Sequence, residues 1–97
     1  MLYSLTDKLS FEDNPQIEIK GKVITVNADA NTVLKLMDIV ENEGETKGAL
    51  QSAKLLFNDK DRKVIDSFKL SMSDYVKLIQ TAMSLAIGED PDEEKAE

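Results

Sequence analysis

The chain runs towards its end through a helix with more apolar surface than a single neighbour can cover. After Ser71 the sequence reads Met72-Ser-Asp-Tyr-Val-Lys-Leu-Ile-Gln-Thr-Ala-Met-Ser-Leu-Ala-Ile87, followed by Gly88. At about 100° per residue, Met72, Tyr75, Val76, Ile79, Met83, Ala86 and Ile87 fall in one stripe, with Leu78, Ala82 and Leu85 in a flank beside it. Together they cover roughly 200° of the helical wheel, where a one-sided surface helix needs about 100°. A fold containing such a helix either sandwiches it between two other elements or leaves part of it for a partner. On the second alternative, the flank Leu78, Ala82 and Leu85 together with Met83 is the expected partner-binding surface, because holding an apolar helical segment asks for adaptable aliphatic and methionine side chains.

What precedes this helix sets the fold class. In Gln16-Ile-Glu-Ile-Lys-Gly-Lys-Val-Ile-Thr-Val26, β-branched residues alternate with polar ones on either side of Gly21. Gly21 takes the positive φ of a tight turn, so the segment is expected to form a β-hairpin. An isolated hairpin is marginal in water, so its isoleucines must meet helices. Asp29 or Asn31 can cap a helix over about residues 31–43, ended by Gly44, with Val33, Leu36, Met37 and Val40 as its buried face and Leu34 and Ile39 at the margins. A polar loop around residues 43–48 leads to a second helix over about 46–57, and Asn58 or Asp59 caps a third over about 60–68. Ser71 caps the last helix, with Asp74 three residues on as a shortened capping box, and Gly88 suits its left-handed end.

The expectation is an α+β domain over residues 1–88: a hairpin, with the N-terminal arm as an optional third strand, packed on about four helices. Phe11 of the arm is expected against the core. The expected core is Ile19, Val26, Val33, Leu36, Met37, Val40, Leu56, Phe57, Ile65, Phe68, Val76, Ile79, Met83 and Ala86. Residues 89–97 hold six acids, one lysine and no apolar side chain beyond Ala96, so they are expected to be a disordered acidic tail.

Charge and residue usage narrow the function classes. Of the net charge of −7, the last nine residues carry −5 and the body only −2. Neither part supplies the basic stripe that nucleic acid requires. The chain contains no Cys and no His, which removes disulfides, the usual zinc sites and the histidine-based catalytic constellations. No catalytic, cofactor-binding or metal-ligating residue stands out, and a non-enzymatic protein is expected. Nothing reads as a secretory signal or as the roughly 20 apolar residues that span a bilayer, so the protein is expected in the cytoplasm, away from membranes.

Two short motifs fail on inspection. Asp59-Lys-Asp61 begins like a calcium-binding loop, but Lys63, Val64 and Leu70 occupy the positions where that loop needs an oxygen ligand, glycine and glutamate. Asp66-Ser67-Phe68 is similar to the Asp-Ser-Leu of acyl carrier proteins, yet Ser67 falls near the end of a short helix instead of opening a long one. Four methionines suit either core filling or an adaptable binding surface.

The order of elements carries a family resemblance. Ile17, Ile19, Gly21, Lys22, Ile24 and Val26 of the hairpin lead into Asn27-Ala-Asp-Ala-Asn-Thr-Val-Leu-Lys-Leu36, then Leu56-Phe57-Asn-Asp-Lys-Asp61, Leu70-Ser-Met-Ser-Asp-Tyr75 and Ala82-Met-Ser-Leu-Ala-Ile-Gly-Glu-Asp90. Over most of residues 15–90 this pattern resembles the small tail assembly chaperones of long-tailed phages and prophages of Gram-positive bacteria. The resemblance implies a non-enzymatic role: binding the tape-measure protein and keeping that long helical chain soluble while tail-tube subunits polymerise around it. It further implies work in the host cytoplasm, release before the mature virion, and the tail tube protein as a possible second partner. The alternative is a small acidic adaptor or regulator acting through protein–protein contact. Self-association is compatible with either.

Overall fold

The hairpin forms where the β-branched residues demand it. In the computed structural model, which describes residues 1–10 and 13–89 (side chains of residues 45 and 46 excepted), strand β1 is Gln16–Ile19 and strand β2 is Lys22–Thr25. They pair antiparallel, with Ile17 opposite Ile24 and Ile19 opposite Lys22. Lys20 and Gly21 both have positive φ, 50° and 81°, the signature of the turn whose twist matches the strands. The Glu18 carboxylate accepts the Gly21 N–H at 2.6 Å and closes the turn. Ile17, Ile19 and the fully buried Ile24 share the face that meets the helices, while Val23 and Glu18 face solvent.

Four helices follow: α1 (Ala30–Asn42), α2 (Glu45–Leu56), α3 (Asp59–Ser67) and α4 (Met72–Ala86). Three begin on side-chain caps, each satisfying one of the orphan N–H groups of a first turn. Asp29 accepts from the Thr32 N–H, Asn58 from Asp61 and Ser71 from Asp74. The Thr32 hydroxyl also donates to Asp29 at 2.6 Å, and these hydrogen bonds hold the Asp29 carboxyl below the ordinary aspartate range. The stabilisation from that cap is therefore present at neutral pH and lost as pH falls through the lowered value. At the other end of α4, Gly88 has φ 88°, and the Gly88 and Glu89 N–H groups bond Leu85 O and Ser84 O. That pair of bonds is the Schellman arrangement, and it fixes where Glu89 sits.

Helix α2 is the hub, packing against α1, α3 and α4. Asn27 ties the hairpin to it, because its backbone N–H bonds Leu56 O and its side-chain amide bonds Leu55 O, at 2.8 and 2.9 Å. Two carbonyls of the last turn of α2, which have no partner within the helix, are thereby satisfied. Asp61 adds a second tie, its carboxylate accepting the Thr25 N–H of β2 at 3.0 Å. The acid that resembled part of a calcium loop is a strut between the hairpin and α3. The core between these elements is one cluster of Ile24, Val26, Leu36, Ala53, Leu56, Phe57, Ile65, Leu78, Ile79, Ala82 and Ala86.

The α+β class, the hairpin and the four helices agree with the sequence reading. The optional third strand does not form among the described residues: the arm winds a single 3-10 turn, Thr6–Lys8, and residues 1–10 are exposed throughout. Leu2, Leu5 and Leu9 are spaced for a helical turn and not for strand alternation. Phe11, and all of the acidic tail beyond Glu89, lie outside the described residues.

Gly48, where the expected polar loop and the expected second helix overlap, belongs to α2. A β-carbon there would meet Ile39 Cγ2 at 3.6 Å and Glu43 Cβ at 3.9 Å, which is ordinary contact. Gly48→Ala is accordingly expected to raise the unfolding free energy by about 0.5–1 kcal/mol, read as a higher urea midpoint with an unchanged slope. A lower midpoint would show that α1 and α2 lie closer at this point.

Candidate functional site

Both helices that flank α2 on one side are turned away from the orientation their apolar stripes suggest. Helix α1 meets the first turns of α2 through the edge that carries Ile39 and Glu43, with Leu36 buried beside them. On a wheel this edge is displaced by about 70–100° from the centre of the Val33, Leu36, Met37, Val40 stripe. The displacement leaves Met37 58% and Val40 61% exposed, and Leu34 64% exposed beyond them. Helix α4 turns similarly. Its buried face is Leu78, Ile79, Ala82 and Ala86, with Tyr75 packed at the edge. The small side chains of Ala82, Ala86 and of Ala53 on α2 allow these helices to approach closely.

Several core assignments are thereby corrected. Met37, Val40 and Val76 are exposed, whereas Ile24, Ala53, Leu78 and Ala82 join the core in their place. Ile19, Val33, Phe68 and Met83 are partly buried against its rim. The partner-binding flank changes most. Leu78 is 7% and Ala82 0% exposed, so neither is available to a partner while this fold is intact. Leu85 is half-buried. Met83 alone of the four lines an open surface. Leu78 and Ala82 of the flank are core, and part of the stripe has become surface.

That surface is a groove of about 330 Å³ between α1 and α4, lined by Val33, Leu36, Met37 and Val40 on one side and Met83 and Ile87 on the other. Ile87 is 50% exposed. Val76 and Met72, 36% and 66% exposed, lie within about 60° of Met83 and Ile87 on the wheel and carry the apolar seam back along α4. Glu41 and Glu89 also line the groove, and among the described residues no lysine or arginine does. Small-molecule sites are enclosed apolar clefts with a few convergent polar groups that fix orientation. Here the charged groups are two exposed carboxylates, which suits a long apolar segment laid across the groove better than a small ligand.

A second hollow, about 170 Å³, lies among Leu50, Ala53, Lys54, Arg62, Ile65, Asp66 and Tyr75. Its chemistry is local. Arg62 pairs with Asp59 one turn earlier, and burial together with the nearby Asp66 charge raises the Tyr75 phenol above its usual value, keeping it neutral. Among the described residues, no three acids converge to hold a metal ion, and no helix is long and apolar enough to cross a membrane. No protein family model matches this chain, and no curated protein or solved structure is significantly similar to it.

Proposed function

We propose that this chain is a non-enzymatic binding protein that holds an apolar helical segment of another protein in the groove between α1 and α4. The observation that carries this reading is the pair of facing seams, in which Met37, Val40 and Ile87 are each half-exposed or more around one groove. Scattered single hydrophobes need no explanation, whereas a contiguous apolar patch rimmed by polar groups marks an interaction surface. Helix-in-groove recognition uses such side chains, and methionine lets the walls adapt to a partner that is not uniform along its length. The resemblance over residues 15–90 supplies the partner. On that basis the protein is a tail assembly chaperone in the host cytoplasm, and the segment belongs to the tape-measure protein.

Co-expression with a tape-measure protein tests both statements. The client is expected to stay soluble and to co-purify. The double variant Met37→Asp, Val40→Asp places two carboxylates on exposed positions and should leave the circular dichroism spectrum and thermal midpoint close to wild type. It should weaken client binding by about 30-fold or more, the loss expected from an interface anchor worth about 2 kcal/mol or more. A folded double variant that still holds the client would remove the groove from the binding surface. A wild-type protein that never rescues the client would defeat the chaperone reading and leave the adaptor alternative.

A further inference from the structure

The charge around the groove is one-sided, and it selects among the segments that an apolar groove would otherwise accept equally. Glu41 lies on the wall that α1 contributes, and Glu89 closes the end that α4 contributes, held there by the bond from its N–H to Ser84 O. Helix α4 has no basic residue in its last turn, which leaves the partial negative charge of its C-terminal end facing this rim, whereas at the end of α1 Lys47 lies 3.5 Å from the Glu43 carboxylate. Lys35 lies about 100–160° round α1 from the groove residues and does not line the groove. In the sequence, five further acids, Asp90, Asp92, Glu93, Glu94 and Glu97, follow within eight residues of Glu89.

Resting on the reading of this groove as a partner site, we infer that its occupant is a helical segment of another protein, apolar along one face and flanked by a cluster of lysine or arginine that sits against Glu41 and Glu89. The apolar face fills the groove between Met37, Val40, Met83 and Ile87. The basic flank meets the carboxylates and the C-terminal end of α4. Charge arranged in this way governs partner choice and association rate more than total affinity, and it weakens with salt. A second copy of this chain is the wrong occupant, because it would bring another Glu41 and Glu89 to a rim that is already negative.

The test uses the full chain with methyl-labelled methionine and two synthetic helical peptides. The peptides share one Leu/Ala face and differ in a terminal triplet, Lys in one and Glu in the other. With the Lys peptide, the Met37 and Met83 methyl signals are expected to shift, and binding should be about tenfold or more tighter than for the Glu peptide at low salt. The gap should close as NaCl approaches about 0.5 M, and the exposed double variant Glu41→Lys, Glu89→Lys should reverse the preference. Equal affinity for the two peptides, with the same methyl shifts, would overturn the basic-flank inference and leave the groove reading standing. Absence of any methyl shift with either peptide would overturn both. Methyl shifts that instead follow protein concentration, with a dimer in sedimentation, would assign the groove to a second copy and overturn the inference.

Discussion

Phe57→Ala is expected to lower the unfolding free energy by about 3–5 kcal/mol, the range for deleting a fully buried aromatic side chain. Phe57 is 1% exposed and among the largest fully buried side chains. It stands just past the last turn of α2, its N–H bonded to Ala53 O at 3.1 Å, where the chain turns into α3. The ring sits in the cluster with Leu56, Ile65, Ile79 and Ala82, where the hairpin, α2, α3 and α4 share one core. A cavity there cannot collapse by shifting one helix without loosening the others, which places the cost towards the upper part of the range. Domains of this size hold about 5–15 kcal/mol in total, so the loss removes a large share of the stability. Each kcal/mol corresponds to roughly 4–8 °C for such a domain, and a thermal scan beside a urea titration reads the loss twice. Val40→Ala, at a position 61% exposed, is the matched control and should change stability by no more than about 0.5 kcal/mol. A Phe57→Ala variant losing less than about 1 kcal/mol would mean that the α2–α3 junction is not the centre of the core.

The elements were legible because their signals are local. The turn at Lys20-Gly21, the caps Asp29, Asn58 and Ser71, and the stop at Gly88 each act through backbone groups within a few residues, so their sequence is enough to place them. Helix rotation is not local. In α4 the stripe and the flank are both apolar, and what decides which part of each is buried is the neighbour. Ala53 on α2 shares one buried cluster with Leu78, Ala82 and Ala86, while Val76 stays exposed and Met83 lines the groove. In α1, the close approach at Gly48 lets the Ile39 edge settle on α2, which rotates Met37 and Val40 outward. A glycine such as Gly48 does not register in a hydrophobic pattern as a packing site, and an alanine registers without saying which neighbour it meets. The surplus of apolar surface on the last helix was therefore readable from sequence, whereas the side on which it remains uncovered was not. Asn27 and Asp61 were invisible for a related reason. Their partners, Leu55 O, Leu56 O and the Thr25 N–H, are backbone atoms 28 to 36 residues away, and a backbone atom leaves no mark in the sequence.

Leu78→Asp separates the two faces of α4 by a pH signature as well as by a loss of stability. Leu78 is 7% exposed within the core, so the new carboxyl would be largely withdrawn from water with no cation beside it in the hydrophobic cluster. Burial without a partner favours the neutral acid and raises its folded-state pKa above the unfolded value of about 3.9. Below that pH both states hold the proton, and the variant loses only packing and the transfer of a neutral polar group. Above it the unfolded chain releases the proton first, so the folded state binds more protons and stability falls with rising pH, by up to about 1.4 kcal/mol per pH unit. The fall ends where pH passes the raised folded value. The deficit relative to wild type should thus be much larger at pH 7 than at pH 4, exceeding about 4 kcal/mol at neutrality, enough to unfold the chain or nearly so. Leu78→Asn, which is polar but does not titrate, should show a smaller deficit equal at the two pH values. A Leu78→Asp protein that remains as stable as wild type at pH 7 would place the flank on the surface after all. If it also lost the client that Met37→Asp, Val40→Asp retains, the binding face of α4 would be Leu78, Ala82 and Leu85 and not the groove.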